Sequence, residues 1–250
     1  MRGKRKRSSP FSSGGQAVNF WATQFLDEEP ELQALAQNTA FTSQDIDFKG
    51  NLETARKIAA ALGKKLVTPR LGEQAFSNLV GFIPLEIGGA PSNIEVVFSI
   101  QGLDRRNVNE LGVKARLGTT TICVLEPISL LYSKAYNAQH YDQNERYDVA
   151  HLRILVPCVR AFLRTILKRE GVHPSLTAMG RAMKLAESER GKIMTARYGI
   201  LWGGLLPIKE LDASPDPKLR TFREKRLPSW LKRISAYSWK AGALKASAGS

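Results

Sequence analysis

The chain of 250 residues is poor in cysteine, with only Cys123 and Cys158. So few thiols exclude a disulfide framework, and their spacing suits neither a metal cage nor a redox pair. Histidine is almost as scarce. His140, His151 and His173 show no ligand spacing, and no Ser/His/Asp or Cys/His triad can be built around them. His151 lies beside an apolar helical stripe and reads as a packed or surface residue. Long apolar runs are also missing: a bilayer span needs roughly 18 residues, and the best stretch, Gly199 to Ile208, is about half that length. No apolar segment follows the basic first residues, so no secretory signal is expected. A cytoplasmic location without a membrane partner is the default. No internal repeat is visible.

What the chain has in excess is positive charge, a net +14. Residues 1–7 contribute +5, residues 209–250 contribute +6, and everything between them only +3. A basic balance suits a polyanionic partner, although a solubilising tail would give the same sum. The apolar share of 43% is ordinary for a globular chain and excludes a wholly disordered one.

Hydropathy patterning predicts an order of elements. Residues 1–13 read as a mobile basic arm. Gln16 to Leu26 has the apolar spacing of a helix, 28–44 reads as a connection, and Asp45 to Lys49 as a short strand. Asn51 is placed to cap a helix that stops at Gly63. Phe76–Pro84, Asn93–Ile100 and Thr119–Leu125 have strand length, with Gly88, Gly89 and Pro91 as punctuation. Val149, Leu152, Val156, Val159, Leu163 and Ile166 then form a long helical stripe ended by Gly171, which Pro157 should bend or break. Helices are also expected over Leu176–Glu189 and Lys192–Trp202. The fold class is therefore α/β (α+β). It comprises a basic arm (1–13), an α/β domain (14–126), an all-helical domain (127–206) and a proline-interrupted basic tail (207–250).

Asp45 and Asp47 form an Asp-x-Asp. On a strand the two share one face about 7 Å apart, with Ile46 and Phe48 on the other. Glu95 is the one charge in the apolar run Ile94–Phe98, and an adjacent strand would bring it to the pair. Like charges held together repel, and Mg²⁺, which prefers hard oxygen ligands, would remove that penalty. Acids on a solvent face, needing no metal, are the plainer alternative. Gly14-Gly15 precedes the first helix, where a phosphate can approach backbone N–H groups; the alternative is a flexible joint.

Three stretches in this order resemble a nucleotidyltransferase of the AbiEii-like or minimal-nucleotidyltransferase type. They are Gly14–Ala22, similar to the family's glycine motif and helix; Thr42–Phe48, similar to its Asp-x-Asp strand; and Leu125 to Asn137 with the helix from Tyr147, similar to its "P-x-x-L-x-x-K" segment and helical half. The resemblance spans roughly residues 14–170. It implies a nucleotidyltransferase-like mixed sheet with flanking helices, NTP as substrate and Mg²⁺ as cofactor. It further implies that Gly14 and Gly15 meet the triphosphate, that Asp45, Asp47 and Glu95 hold the metal, and that Lys134 and Asp148 serve the nucleotide. Lys134 could equally be a surface lysine, and Asp148 the N-cap of the long helix. One segment departs from the family. Where an apolar strand should lead into the glycines, Arg7–Ser13 is too polar for a buried central strand. A lost first strand, an exposed sheet edge there, or a truncated start is the consequence expected. Glu95 is also longer than the aspartate often found at its position.

The implied reaction is transfer of a nucleotidyl group from NTP to a hydroxyl acceptor on RNA, including tRNA, or on a protein. The alternative is a catalytically degenerate relative acting as a binding partner, for example beside an antitoxin-like protein. In the tail, Arg220, Arg223, Lys225, Arg226, Lys232 and Arg233, interleaved with Phe222 and Trp230, could grip an RNA backbone and stack on bases. The bland alternative is a solvated helix that packs Phe222, Leu227, Trp230 and Leu231 on the body.

Overall fold

The structure, a computed structural model, describes residues 11–38, 45–69, 78–104, 110–117, 120–144 and 146–247. The arm as far as Pro10, residues 42–44 of the Asp-x-Asp stretch, and Phe76 and Ser77 lie outside the described residues. The chain is α+β and divides into two compact units: Met1–Phe20 with Phe41–Leu130, and Trp21–Ala40 with Leu131–Ser250. Among the described residues no helix is long and apolar enough to cross a membrane.

The first unit is built on a six-stranded mixed sheet. Its strands are β1 (Phe11–Ser12), β2 (Asp45–Lys49), β3 (Leu79–Ile87), β4 (Ala90–Val97), β5 (Gly112–Leu117) and β6 (Thr120–Leu125), in spatial order β3-β4-β2-β1-β6-β5. The expectation of a missing first strand is corrected here. Phe11–Ser12 is a central strand, antiparallel to β2 and parallel to β6. Two residues suffice to bridge the halves of the sheet, and Ser12 and Ser13 are small enough to be buried between them. The Ser13 N–H donates to the Asp47 carbonyl at 2.8 Å, so the polar segment satisfies its backbone through the ladder.

β2 coincides with the expected strand. Its Ile46 and Phe48 pack with Ile83, Ile94, Ala59 and Ile58, which joins one face of the sheet to helix α3 (Leu52–Ala61). Asn51 caps that helix as expected, its side chain accepting from the Thr54 N–H at 2.9 Å. Gly63 follows the cap at φ 61°. β3 and β4 start later and earlier, respectively, than the patterning predicts. They form a hairpin whose two-residue turn, Gly88-Gly89, has φ of 59° and 82°, the conformation that matches strand twist in tight hairpins. Pro91 thus lies inside β4 opposite Glu86 rather than in the turn. β5 was not foreseen. It is an edge strand, and its alternating Lys114 and Arg116 are charges that discourage edge-to-edge pairing.

The second unit is helical. α2 (Pro30–Asn38) replaces the expected connection: proline at the first helical position is preset for the turn, and Leu32 is fully buried. Segment Trp21–Ala40 groups with the helical residues because Trp21 stacks on Phe25 and meets Phe162 edge-on, each with centroids 5.6 Å apart. Buried Glu29 also accepts from Arg160 and pairs with Arg164 at 2.8 Å. α5 (Asp148–Arg169) continues for 22 residues with the buried Pro157 inside it; the proline has no N–H, so its bond is missing from the ladder as expected while the helix goes on. α6 (Val172–Glu187) and α7 (Glu189–Tyr198) follow, the latter capped by Ser188 and closed by left-handed Gly199.

Residues 207–247 are helical, and the part as far as Ile234 packs into the second unit rather than hanging as a tail. α8 (Ile208–Ala213), α9 (Pro217–Thr221), a π-helical turn (Phe222–Arg226) and α10 (Leu227–Ser247) succeed one another. Phe222, Leu227, Trp230 and Ile234 are buried. In an α-helix residues five apart point to different sides, whereas the i→i+5 pattern of a π-turn brings them together. The Leu227 N–H donates to the Phe222 carbonyl, and that turn lets both side chains enter the core.

Candidate active site

In the first unit the strand register decides which acids meet. β2 and β4 run parallel with Asp47 beside Glu95 and Asp45 beside Asn93. All three carboxylates therefore lie on the face opposite Ile46 and Phe48. The Glu95 carboxyl is raised above its ordinary value, first by burial and then by the charges of Asp47 and Asp45. Lys49 shares that face at the next position along β2, and burial lowers its ammonium.

β1 delivers the glycines to the same place. Gly14 has φ 80°, and α1 (Gly15–Gln24) begins at the next residue. A Cβ on Gly14 would overlap the Asp47 carboxylate. The joint is thus a close approach of backbone to acid rather than a loose hinge. The first-turn amides of α1 have no acceptor within the helix itself, and the helix N-terminus favours an anion.

Hard carboxylate oxygens suit Mg²⁺. Among the described residues, however, no three His, Cys, Asp or Glu side chains stand as a ready-made metal cage. Asp45 and Asp47 stand on one face of β2, their backbone positions about 7 Å apart along the strand.

The raised Glu95 carboxyl makes a prediction. Its folded form takes up a proton more readily than the unfolded chain, whose ordinary value is 4.5. The stability it contributes is therefore full below that value and is lost as pH rises through the folded value. In metal-free buffer, Glu95→Gln should be more stable than the wild type at pH 7, with that gain gone at pH 4. Urea denaturation at the two pH values measures it, and a gain equal at both would show that Glu95 is not shifted.

In the second unit, α4 (Pro127–His140) and α5 place Lys134 and Asp148 together. The Lys134 Nζ lies 3.0 Å from Asp148 Oδ1 with both side chains nearly inaccessible. The surface-lysine alternative is thereby overturned. So is the N-cap alternative for Asp148, because Tyr147 holds the cap position and Asp148 is the first helical residue. Arg146 Nε donates to Asp148 Oδ2 at 2.7 Å and Asn137 Nδ2 to Oδ1 at 3.4 Å. Burial alone would raise the Asp148 carboxyl, but Lys134 and then Arg146 outweigh it and hold it below its ordinary value.

His151, one turn along α5, is buried. Burial, and then Lys134, push its imidazole down to about 3, so it is neutral at pH 7. Its Nδ1 and the Asn137 Oδ1 are buried without a hydrogen-bond partner. His151 is thus packed, one of the two readings its sequence offered, whereas no role was expected for Asn137 or Arg146. The spacing of Asn137 three residues after Lys134 is the one local signal that could have found either of them.

The tail candidates separate into two groups. Arg223 donates to the Asp212 carbonyl at 2.9 Å, and Arg233 Nε to Glu187 at 2.8 Å. Arg220, Lys225, Arg226 and Lys232 are exposed. Phe222 and Trp230 are buried, which removes them as stacking platforms and matches the packed-helix alternative; Leu231 is instead partly exposed.

No family model matches this chain, and no curated protein matches it. Among solved structures the chain is similar to the crystal structure of an antigenic nucleotidyltransferase-like protein from Paracoccidioides brasiliensis, at 14% identity, covering 68% of this chain and 95% of that one, with a TM-score of 0.33. A likeness that slight carries no argument about activity.

Proposed function

We propose that this chain is a cytoplasmic, Mg²⁺-dependent nucleotidyltransferase that moves a nucleotidyl group from NTP to a hydroxyl acceptor on RNA, including tRNA, or on a protein. The observation that supports this most is the register pairing Asp47 with Glu95, on the face where Gly14 touches Asp47. Asp45, Asp47 and Glu95 would hold the cation. Gly14 and Gly15 would offer backbone N–H groups to the triphosphate at the start of α1. Lys134, which the resemblance would assign to the nucleotide, is held by Asp148 within the second unit. Bound Mg²⁺ would neutralise phosphate charge and make the acceptor oxygen a better nucleophile. The rest of the rate would come from positioning and fixed dipoles.

The second reading is that of a degenerate fold member acting as a binding or regulatory partner, as in a toxin–antitoxin-like pair. Incubation with Mg²⁺, each labelled NTP and total RNA or total protein discriminates. Under the enzyme reading label moves to a macromolecule, and Asp45→Ala/Asp47→Ala lowers the rate by at least a hundredfold. Transfer that survives the double change would overturn the site. No transfer with any NTP, together with no Mg²⁺-dependent rise in melting temperature, would favour the second reading.

A further inference from the structure

The layer that closes the second unit carries charge it does not use internally. Among residues 209–247 the four acids are all engaged. Glu210 pairs with Arg164 at 3.6 Å, and Asp212 and Glu224 with Arg223 at 3.9 and 3.8 Å. Asp216 caps α9 by accepting from the Lys218 and Leu219 N–H groups. Glu187 of α6 is likewise taken by Arg233. The side chains of Lys218, Arg220, Lys225, Arg226 and Lys232 are exposed, and among the described residues no acid pairs with them. The π-turn contributes to this pattern: by burying both Phe222 and Leu227 it leaves Glu224, Lys225 and Arg226 together on the outside.

A second helix reinforces the same face. Arg226 Nη2 lies 3.9 Å from the Cβ position of Gly180 on α6. The exposed Lys184 stands one turn further along α6, on the same side as Gly180. Arg226 and Lys184 thus add two exposed positive charges along the same side of α6, a surface that suits a polyanion.

We infer that this ridge, running from Lys218 through Arg226 and Lys184 to Lys232, docks the phosphodiester backbone of a nucleic-acid duplex. Its length along the helix is about 21 Å at 1.5 Å per residue, which faces on the order of a dozen duplex phosphates. Single strands are usually gripped by aromatic side chains on which bases stack, and here Phe222 and Trp230 are buried. What remains is backbone contact without base readout. The ridge lies within the second unit and does not depend on the transfer reaction.

The test uses the full chain and fluorescence anisotropy with labelled 20-base-pair duplex RNA and duplex DNA, the two sources of the same backbone. Four ridge charges are removed in Lys218→Gln/Lys225→Gln/Arg226→Gln/Lys232→Gln. Four exposed charges elsewhere are removed in Lys64→Gln/Lys65→Gln/Lys168→Gln/Arg169→Gln. Circular dichroism and melting temperature verify that both variants fold, as changes at exposed positions should allow. The ridge variant is expected to flatten the log-affinity against log-salt slope by about 3–4, at roughly 0.9 per lost duplex phosphate contact, and the control variant by clearly less. Asp45→Ala/Asp47→Ala should bind as the wild type does, so failure of the catalytic reading and failure of this one are separable. Stronger binding to one duplex identifies the source. Equal slopes for the two variants, no duplex binding at all, or ridge-dependent binding to phosphatidylserine vesicles but not to duplex would overturn the inference.

Discussion

Asp148→Ala is expected to destabilise the chain by about 3–5 kcal/mol, the usual consequence of removing one member of a buried ion pair. The carboxylate accepts from Lys134 at 3.0 Å, Arg146 at 2.7 Å and Asn137 at 3.4 Å. Its loss strands the Lys134 ammonium in a site that is almost closed to water. A domain's whole stability is only about 5–15 kcal/mol, so the effect should be plain in urea denaturation at pH 7. The double change Lys134→Met/Asp148→Leu removes both charges and should recover much of the loss, because an apolar pair of similar volume often replaces a buried ion pair without penalty. The sign of the pH dependence follows from the depressed Asp148 carboxyl. The stability it contributes is present above its ordinary value of 3.8 and is lost as pH falls through the folded value. The gap between wild type and Asp148→Ala should therefore narrow in acid. A gap that stays constant down to pH 3, or a double variant no better than the single one, would show that the pair does not bear this load.

Gly14→Ala should be the most damaging small change in the first unit. Two effects add. The residue sits at φ 80°, which costs a non-glycine residue about 1–2 kcal/mol. Its Cβ would also overlap the Asp47 carboxylate, and overpacking of that kind costs about 1–3 kcal/mol. The overlap cannot be relieved cheaply, because the Ser13 N–H is bonded to the Asp47 carbonyl and so ties the glycine turn to β2. The prediction is a loss of roughly 2–5 kcal/mol in urea denaturation. Gly14→Ala/Asp47→Gly should regain the overlap part and not the backbone part. Full recovery in the double variant would mean that φ at Gly14 is not strained, and no recovery would mean that the side chain of Asp47 is not the obstacle.

Much of the first unit was legible because local rules act there. β2 was readable from alternation in Asp45–Lys49, and α3 from the Asn51 cap and the glycine two residues beyond its end. The long stripe of α5 was readable from its 3–4 spacing, and Pro157, whose missing N–H takes one bond from the ladder, lies buried within it. β5 was missed because Val113, Ala115 and Leu117 alternate with charges too weakly to separate an edge strand from a loop. α2 was missed because Leu32, its fully buried residue, stands among acids and glutamines.

By itself the sequence determined that Asp45 and Asp47 share a strand face and that Gly14-Gly15 opens a helix. It also determined that charge is concentrated at the ends of the chain. These are matters of period and of local backbone preference, which neighbouring residues settle among themselves. Only the tertiary structure decided that Glu95 stands beside Asp47, because strand register is set by the packing of Ile46, Ile83 and Ile94 on α3 and not by any local pattern. It alone decided that Phe11–Ser12, set in the polar stretch Arg7–Ser13, occupies the middle of the sheet, since two backbone ladders satisfy that segment where hydropathy could not recommend it. It also decided which basic residues of the last helices are spent on Asp212, Glu224 and Glu187 and which face outward. Pairing depends on what folding brings within reach, and that distance is not written in sequence separation.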